Sequence, residues 1–583
     1  MTIFDFLTLV CGLALFLFGM DVMSESLKKS AGNRLKATLG KMTSSKFRGF
    51  ILGLAVTAII QSSSATTVMV VGFVNSGTMT LSQAVGVIMG ANVGAGITSW
   101  ITGLSGIGGS AVSSALRWAQ PSSWMPIVAI IGTGMLILSK RGKRRDIGTI
   151  LLGFSVLMVG METMSGAVSG LKESEAFSTA FTMFENPLLG IMVGTVITAL
   201  IQSSGASIGI LQSLTSTGAI TYSAAIPIIM GQNIGTCITA LISSAGANKN
   251  GKRAALVHLY YNVIGAAVLL LLFYLSNAIF DYGFLSKPIG TMGVAAVHTI
   301  FKLLSVILFA PFTNLLEKLA VLSVKDSGSP EEVNLLDERL IQSPSIAIAR
   351  AADVMSMMAV SSCGAMAKSL GLLWHYDAKT ADEIRDAESK ADVYEDTLGT
   401  YLVKISSAAL TEKDSREVTK LLHLIGDFER ISDHAVNIVE SAEEIEDKKI
   451  VFSESANHEV EVLIGAVSEI LGLAEKSYGT GDMNIASLVE PLEQTVDSLC
   501  STIRANHIER LQKSECTIEH GFVLSDILTN CERVSDHCSN IAGCVIEISK
   551  YDALNMHQYL NKVKKDTAYF DRKYSEYMLK YKL

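Results

Sequence analysis

Two short polar clusters interrupt long apolar stretches of the sequence, and their residue types are suited to binding ions. Positions 61–64 read Gln-Ser-Ser-Ser, and positions 202–205 read Gln-Ser-Ser-Gly. Serine hydroxyls and glutamine amides can donate hydrogen bonds to an anion, and their oxygens are hard ligands for an alkali cation. None of these groups carries a fixed charge, which suits a site that must release its ligand again.

The depth of the clusters within their apolar stretches predicts unusual elements around them. Residues 49–60 form an apolar segment of 12 residues before the first cluster. As a helix this segment spans about 18 Å, roughly half of a ~30 Å hydrocarbon core. Polar, irregular backbone at that depth is stable only where protein or a wet cavity surrounds it. We therefore predict that 49–75 and 188–217 are re-entrant hairpins, each entering and leaving on one side.

The two clusters belong to a longer internal repeat with a constant offset of 141 positions. The residues Gly19, Gly53, Thr57, Gln61, Gly90, Asn92, Gly94 and Thr98 return as Gly160, Gly194, Thr198, Gln202, Gly231, Asn233, Gly235 and Thr239. Three predicted crossings separate equivalent points, so the copies, 3–102 and 147–244, have opposite orientation. Inverted repeats with broken helices at the membrane midplane are typical of secondary transporters. Close helix packing explains the glycines equally well.

Two further polar pairs lie in later apolar stretches, and a spacing of four places each pair on one helical face. The pairs are His258 with Asn262 and His298 with Lys302. A role with phosphate or protons is one explanation, and a polar contact between helices is the favoured one.

The composition divides the chain into an apolar half and an acidic half. The chain has 583 residues, of which 49% are hydrophobic and 17% charged, with a mean hydropathy of +0.39. Soluble domains carry about 25% charged residues. Residues 1–320 have a net charge of +10 and residues 321–583 a net charge of −18. The acidic half argues against nucleic acid as a partner, because a phosphate backbone requires lysine and arginine.

The first half contains further apolar stretches long enough to cross a bilayer. We predict spans at 3–24, 84–102, 124–139, 147–168, 223–244, 254–276 and 290–313. If both hairpins are re-entrant, the basic loops 25–48, 140–145 and 249–253 share one side, which the positive-inside rule assigns to the cytoplasm. The opposite loops carry one basic residue each, Arg117, Lys172 and Lys287. We therefore expect a multi-pass protein of the cell membrane, in contact with lipid, with its N-terminus outside and its acidic half in the cytoplasm.

The polar motifs resemble those of the type II sodium–phosphate cotransporter family. The resemblance rests on QSSSATT at 61–67 and QSSGASI at 202–208, followed by GANVGAGIT at 90–98 and GQNIGTCIT at 231–239. It implies Na⁺-coupled transport of inorganic phosphate by alternating access, with phosphate and Na⁺ held between the two hairpin tips. The contacts that it implies are Gln61, Ser62, Ser63, Ser64, Thr66, Gln202, Ser203, Ser204 and Ser207, with Asn92 and Asn233 in support. The chain departs from the family pattern at Gly205, where a third serine is usual, and at Ala95, where a threonine is usual.

The second half is predicted to be a duplicated helical bundle over 340–575, after a linker at 321–339 that includes the polar positions 325–330. The string FERISDH at 428–434 returns as CERVSDH at 531–537. Four E-x-x-x-D pairs place two carboxylates one helical turn apart: Glu388 with Asp392, Glu429 with Asp433, Glu493 with Asp497, and Glu532 with Asp536. Such pairs favour a hard metal ion such as Mg, Mn or Fe. The alternative is a solvated acidic face paired with Arg430 and Arg533.

The longer strings ERISDHAVNI at 429–438 and ERVSDHCSNI at 532–541 resemble the signature of PhoU domains. This resemblance implies a tandem three-helix fold, metal clusters and a regulatory role in phosphate homeostasis. We expect no helix of this half to have an apolar run long enough to enter the bilayer, and we name the bundle as a candidate surface for homo-oligomers. The cysteines of this half lack the C-x-x-C spacing of a zinc site.

The expected fold is thus all-α: an inverted-repeat membrane transporter with two re-entrant hairpins, followed by a soluble tandem three-helix bundle. The leading function is a Na⁺-coupled phosphate carrier. The alternatives are a membrane-anchored phosphate sensor and a phosphate exporter. An enzyme is disfavoured, because the sequence has no nucleophile–base constellation, no Walker loop and no HExxH motif.

Overall fold

The structure, a computed structural model, describes residues 3–42, 45–104, 121–139, 143–169, 171, 183–325, 336–408, 410–550 and 567–583. These residues form helices and no strand beyond one isolated bridge between Thr221 and Pro288, which confirms the all-α prediction. The chain divides into two compact units, residues 1–347 and 348–583. The loop residues Arg117, Lys140, Arg141 and Lys172 and the linker positions 326–330 lie outside the described residues.

The first unit contains the helices of the two repeats and the helices that follow them. In order these are α1 (Ile3–Met42), α2 (Lys46–Ile60), α3 (Ser63–Asn75), α4 (Leu81–Gly103), α5 (Pro121–Leu138), α6 (Lys143–Val168), α7 (Pro187–Ile201), α8 (Ser204–Leu214), α9 (Tyr222–Gly235), α10 (Cys237–Ser244), α11 (Lys249–Phe280), α12 (Thr291–Phe309) and α13 (Thr313–Ser323).

Both polar clusters break a helix in the same way. Gln61 ends α2 in the left-handed conformation with φ 59°, and the Ser62 side chain caps α3 by accepting from the backbone N–H of Ala65. Gln202 ends α7 with φ 58°, and Ser203 caps α8 in the same manner. A left-handed glutamine is uncommon, because its Cβ crowds the backbone. Because a left-handed glutamine occurs at both equivalent positions, the helix break is a conserved structural element of the two copies of the repeat.

Glycines on α4 define how the first hairpin lies against it. A Cβ at Gly86 would lie 2.3 Å from the carbonyl oxygen of Lys46, and one at Gly94 would lie 2.8 Å from Cβ of Thr57. Helix α2 therefore runs parallel to α4 in close contact. Since only residues 76–80 separate α3 from α4, both open ends of the α2–α3 hairpin lie near the start of α4.

The second copy repeats this packing with one difference. A Cβ at Gly231 would lie 2.1 Å from the carbonyl oxygen of Ile191, and one at Gly235 would lie 2.7 Å from Cβ of Thr198. The predicted span 223–244 is interrupted at Thr236, whose hydroxyl donates to the carbonyl of Asn233 at 2.6 Å. The equivalent helix α4 carries Ala95 at this position and continues unbroken.

Seven helical segments among the described residues are long and apolar enough to cross a membrane. Six lie in the first unit, at Ile3–Lys29, Leu81–Gly103, Lys143–Val168, Tyr222–Ser244, Lys249–Phe280 and Thr291–Ser323. The seventh is Pro344–Leu372, so the prediction that the second half has no such apolar run is wrong. Hydropathy does not distinguish a helix that faces lipid from one buried in a bundle. More than half of the apolar window in this helix, 56%, is buried inside the protein.

The second unit consists of two successive three-helix groups, as predicted. The first group comprises α14 (Pro344–Leu372), α15 (Ala378–Ser406) and α16 (Glu412–Lys448), and the second comprises α17 (Glu454–Thr480), α18 (Val489–Gln512) and α19 (Ile518–Lys550). Helices α16 and α19 pack against each other, and a further helix, α20 (Thr567–Lys580), packs on α18.

Replacing Gly90 by alanine is expected to destabilise the membrane unit. The new Cβ would lie 1.9 Å from the carbonyl oxygen of Phe50, so α2 and α4 must separate. Overpacking of this kind costs about 1–3 kcal/mol. Thermal unfolding of the detergent-solubilised protein should therefore shift to lower temperature. Gly134→Ala in α5 is the matched control, because a Cβ there has no atom within 4 Å. Equal unfolding temperatures for both variants would contradict the packing described here.

Candidate functional site

The first hairpin tip is held in place by side chains from α1 and α4. The side-chain oxygen of Gln61 accepts a hydrogen bond from the Thr98 hydroxyl at 3.0 Å, and its amide nitrogen donates to the carbonyl of Ala58. The Ser24 hydroxyl donates to the carbonyl of Ile60 at 2.5 Å. These contacts satisfy polar groups that the helix break exposes, so the tip is a rigid element.

Behind each tip, a hydroxyl pair joins the two arms of the hairpin. Thr57 donates to the Thr66 hydroxyl at 3.0 Å, and Thr198 donates to the Ser207 hydroxyl at 2.8 Å. The Gln232 amide also donates to the Ser207 hydroxyl, at 2.9 Å. Thr66 and Ser207 are both buried. These two predicted site residues therefore brace the arms from within.

The two tips approach each other through Thr98. A Cβ built at Gly205 would lie 3.2 Å from Cγ2 of Thr98, the residue whose hydroxyl binds Gln61. A serine in place of Gly205 would have to push against Thr98, which gives a physical reason for the departure from the family pattern. The structure thus brings together two polar clusters that lie 141 positions apart in the sequence.

The exposure of the cluster residues differs between the two copies. Gln61 and Ser63 are buried, with exposed fractions of 9% and 5%. Gln202 is exposed. Partial exposure is shared by the remaining predicted cluster residues, Ser62, Ser64, Ser203 and Ser204. Ser62 and Ser203 cap the N-termini of α3 and α8, so the first N–H groups of each helix lie beside its serines, and helix N-termini attract anions. Together these groups can bind an anion and offer neutral oxygens to an alkali cation.

The contacts of Asn92 and Asn233 go to helix α12. The side-chain oxygen of Asn92 accepts from the Lys302 ammonium at 3.2 Å, and that of Asn233 lies 3.3 Å from Nε2 of His298. The Ser99 hydroxyl lies 2.6 Å from Nδ1 of the same histidine. The favoured sequence interpretation of His298 and Lys302 as polar contacts between helices agrees with this geometry.

Three polar residues of this region were not among the predicted site residues. Thr98, Gln232 and Gln212 each join helices that are distant in sequence; the Gln212 amide, for example, donates to the carbonyl of Ser99 at 3.0 Å. One signal for Gln232 was present in the sequence, because the first repeat has Ala91 at the equivalent position. A polar residue that replaces alanine in only one of two copies indicates a contact that the copies do not share.

In the second unit, the structure gathers six of the eight predicted carboxylates into two clusters. One oxygen from each residue of a cluster lies within 4.8 Å of the others. The clusters are Glu388, Asp392 and Asp433, and Glu493, Asp497 and Asp536. Of the two remaining carboxylates, Glu532 forms an ion pair with Arg504 at 2.7 Å. Clusters made only of carboxylate oxygens have donors that suit hard metal ions.

Burial and mutual repulsion disfavour the charged forms of these carboxylates. Desolvation, followed by the charges of Glu490 and Asp497, raises the pKa of Glu493 to about 8. Desolvation and the charge of Asp536 raise the pKa of Asp497 to about 6. Desolvation and the adjacent Asp433 raise the pKa of Glu429 to about 7. A bound cation would reverse these shifts, because it favours the ionised carboxylates.

The two signature strings of this unit meet along α16 and α19. Nδ1 of His434 lies 2.8 Å from the side-chain oxygen of Asn530, and Nδ1 of His537 lies 2.9 Å from a carboxylate oxygen of Asp427. Asp427 and Asn530 occupy equivalent positions of the two groups, so each histidine contacts the other group in the same way. The duplication therefore produces a pseudo-symmetric pair of helices.

Comparison with known proteins identifies both halves. The model of the Na+/Pi-cotransporter family matches residues 15–166 and again 156–296. The PhoU domain model matches residues 355–442 and 460–545. Each model therefore matches twice, in agreement with the two internal repeats.

Individual proteins are similar to all or part of the chain. The chain is 24% identical to "Putative inorganic phosphate export protein YjbB" of Escherichia coli (strain K12), over 93% of this chain and 97% of that protein. It is 36% identical to human "Sodium-dependent phosphate transport protein 2B" over 21% of this chain and 16% of that protein. Among solved structures, the phosphate transport system regulatory protein PhoU from Streptococcus pneumoniae aligns with 36% of this chain and 97% of its own, with 14% identity and a TM-score of 0.32.

The contribution of Glu493 to the stability of the metal-free protein should fall as the pH rises. The pKa of Glu493 is about 8 in the folded protein and ordinarily 4.5, so the folded state holds a proton that the unfolded state has released. The contribution of this carboxyl group to stability is therefore fully present below pH 4.5 and is lost as the pH rises towards 8. Thermal unfolding of the intact protein in chelator, at a series of pH values, measures this loss.

Glu493→Gln should weaken this pH dependence, because the amide does not titrate. Glu461→Gln, at an exposed position of α17, is the control and should behave as the unmodified protein does. Added Mn²⁺ should raise the stability of the unmodified protein most at the high end of the pH range. Parallel pH profiles for Glu493→Gln and the unmodified protein would contradict the role given to this carboxyl group.

Proposed function

The membrane half of this chain belongs to the Na+/Pi-cotransporter family and its second half carries two PhoU domains; on this premise we propose that the protein carries inorganic phosphate across the cell membrane together with Na⁺. The observation that supports this proposal most directly is the approach of the two hairpin tips at Thr98 and Gly205. In an inverted repeat, a site shared by both copies can open first to one side and then to the other.

In the proposed site, phosphate lies between the N-terminal ends of α3 and α8. The hydroxyls of Ser62, Ser63, Ser64, Ser203 and Ser204 and the amides of Gln61 and Gln202 supply its hydrogen bonds. The free N–H groups and the positive end of each helix dipole favour the anion. Na⁺ takes neutral hydroxyl and carbonyl oxygens of the same tips. The name of the human relative, a sodium-dependent phosphate transport protein, supports this coupling.

The direction of transport in the cell gives a second candidate function, phosphate export. The Escherichia coli relative named as a putative phosphate export protein supports export, because this chain aligns with 97% of that protein. A carrier with one alternating site runs in either direction, according to the gradients imposed on it. Phosphate efflux from loaded cells, measured with and without the protein, distinguishes export from import.

We propose a topology in which the basic loops and the second unit face the cytoplasm and the N-terminus faces outside. The separation of basic and non-basic loops supports it. The position of both open ends of the α2–α3 hairpin beside the start of α4 is the geometry that a re-entrant hairpin requires.

We assign regulation to the second unit and its metal clusters. Glu388, Asp392 and Asp433 would hold one ion, and Glu493, Asp497 and Asp536 another. A bound cation would supply charge neutralisation there and stiffen the packing of the helices that carry the carboxylates. Glu429 and Glu532, one turn before Asp433 and Asp536, complete the proposed ligand sets.

We propose that residues 337–339, which precede the second unit, transmit its regulation to the membrane unit. The carboxylate of Asp337 accepts from the Asn75 amide at 2.6 Å and pairs with Arg339 at 2.7 Å. The Arg339 guanidinium also donates to the carbonyl of Ser243 at 2.8 Å, and Asn75 accepts from the backbone of Asn248 at 2.7 Å. This segment therefore ties the end of the first hairpin to the second repeat, and the chain continues from it directly into α14.

Ser63→Ala and Ser204→Ala should each weaken phosphate uptake while leaving membrane insertion intact. A hydrogen bond to a charged group is worth about 1.5–3 kcal/mol, or roughly 10–150-fold in affinity. Ser276→Ala is the matched control, because that hydroxyl binds only a carbonyl of its own helix, that of Phe273, at 2.8 Å. Uptake kinetics in proteoliposomes with a Na⁺ gradient measure the effect. Unchanged kinetics in both tip variants would refute the proposed site.

Single cysteines introduced on either side test the topology. Those at Ser30 and Gly142 should react with an impermeant thiol reagent only from the cytoplasm, and one at Ser174 only from outside. The native cysteines are replaced beforehand, because Cys11 is exposed. Labelling of positions 30 and 142 from opposite sides would show that the hairpins are simple spans.

Arg339→Ala should change the maximal rate of phosphate transport and leave the KM for phosphate unchanged. The variant loses the contacts to Asp337 and Ser243 but touches neither hairpin tip. Allosteric coupling free energies are typically about 1–3 kcal/mol, or roughly 5–150-fold. Arg350→Ala, which breaks an ion pair with Asp353 within α14, is the control. A maximal rate equal to that of the unmodified protein would exclude the segment as the point of control.

A further inference from the structure

Helix α12 carries a lysine in the interior of the membrane unit. Lys302 is 2% exposed, and its ammonium donates to the side-chain oxygen of Asn92 at 3.2 Å. Among the described residues, no aspartate or glutamate lies within ion-pair distance of it. A buried ammonium without a counter-charge is costly inside a membrane protein, and ionisable groups at such positions mark ion or proton paths.

The other titratable groups around Lys302 come from three helices. They are His298, one turn earlier on α12, His258 on α11 and Cys237 on α10, and each interacts electrostatically with the lysine. All three are buried, with exposed fractions of 0–1%. Within the part of the chain that the structure describes, neither ring nitrogen of His258 has a hydrogen-bond partner. The lysine is therefore surrounded by groups that can accept or donate a proton and by no fixed negative charge.

The size of the ligand follows from burial. The groups Lys302, His298 and His258 are closed off at 0–2% exposure, whereas four of the five serines of the hairpin tips are partly exposed, all except Ser63. A phosphate ion needs an open cavity with several donors, but a proton needs only a lone pair on a nitrogen. We propose that Lys302, with His298 and His258, is a proton-binding site that couples phosphate transport to the movement of one proton.

The site is placed to act on both repeats. Asn92 and Asn233 are equivalent residues of the two copies, and they are held by Lys302 and His298, which are adjacent on one face of α12. When the Lys302 amine takes up a proton it gains a charge and a donor, and when it returns the proton to water it loses both. Either change alters how α12 holds α4 relative to α9, the helices that pack against the two hairpins.

This inference rests on the proposed phosphate transport, and the test separates the two. Full-length protein in proteoliposomes is assayed for phosphate exchange at equal pH and for phosphate accumulation driven by a pH gradient. Lys302→Gln can still donate to Asn92 but does not titrate. Lys302→Arg keeps a permanent charge. Lys318→Gln, at an exposed lysine of α13, is the matched control.

Exchange should persist in every variant, because the hairpin tips are intact. The accumulation ratio is the phosphate concentration inside the vesicles divided by that outside. One coupled proton multiplies this ratio by about ten for each pH unit of gradient. We therefore expect this factor in the unmodified protein and not in either Lys302 variant. The titration of phosphate itself contributes equally to all variants and cancels in this comparison. Lys318→Gln should match the unmodified protein.

Equal accumulation by the unmodified protein and Lys302→Gln would overturn the proton site while leaving phosphate transport standing. If Lys302→Arg retained the pH-gradient effect, a permanent positive charge at this position would be sufficient, and the proposed proton binding by Lys302 would be wrong. Absence of exchange in the unmodified protein would refute the proposed function instead. If neither Lys302 variant folds, His258→Leu tests the same site, because this imidazole makes no side-chain hydrogen bond. An unchanged pH-gradient response in that variant would overturn the proposal.

Discussion

A helix that breaks inside a hydrocarbon layer leaves backbone groups that only the protein can satisfy, and we propose that the membrane half is organised around two such breaks. At Gln61 and Gln202 the chain turns left-handed, and a serine caps the helix that follows. The glycines of α4 and α9 bring whole helices into backbone contact with the hairpins, so that the breaks are enclosed by protein. The same enclosure brings the two tips together at Thr98 and Gly205, and we propose that an anion binds there between the N-terminal ends of α3 and α8.

The two copies of the repeat differ at a few positions, and these differences create contacts that only one copy makes. The second copy has Gly205, which lets its tip approach Thr98, and Gln232, which binds Ser207 where the first copy has alanine. A perfectly symmetric pair would open equally to both sides. In the proposed alternating-access mechanism, the asymmetric contacts are therefore where we expect the preference between inward-facing and outward-facing states to arise.

Several features of the molecule could be predicted from sequence because they depend on local chemistry or on repetition. The polar clusters predicted the helix breaks, the constant offset predicted the repeat, and carboxylates one turn apart predicted the acidic clusters. Features that depend on tertiary contacts were missed. Hydropathy alone could not show that more than half of the apolar window of α14 is buried inside the protein, and spacing could not show that Asn92 and Asn233 face α12. Thr98 and Gln61 both belong to the repeat, but the repeat does not show that the Thr98 hydroxyl binds Gln61, 37 positions away.

The central proposition is that both hairpin tips form one phosphate site. Arsenate has the charge and shape of phosphate and can be located by the anomalous scattering of arsenic. A crystal structure of the full-length protein with arsenate and Na⁺ measures its position directly. If both tips form one site, a single arsenic peak should lie between the N-terminal ends of α3 and α8, within hydrogen-bonding distance of Ser63 and Ser204. A peak in contact with only one tip, or a peak beside Lys302 and none at the tips, would contradict it.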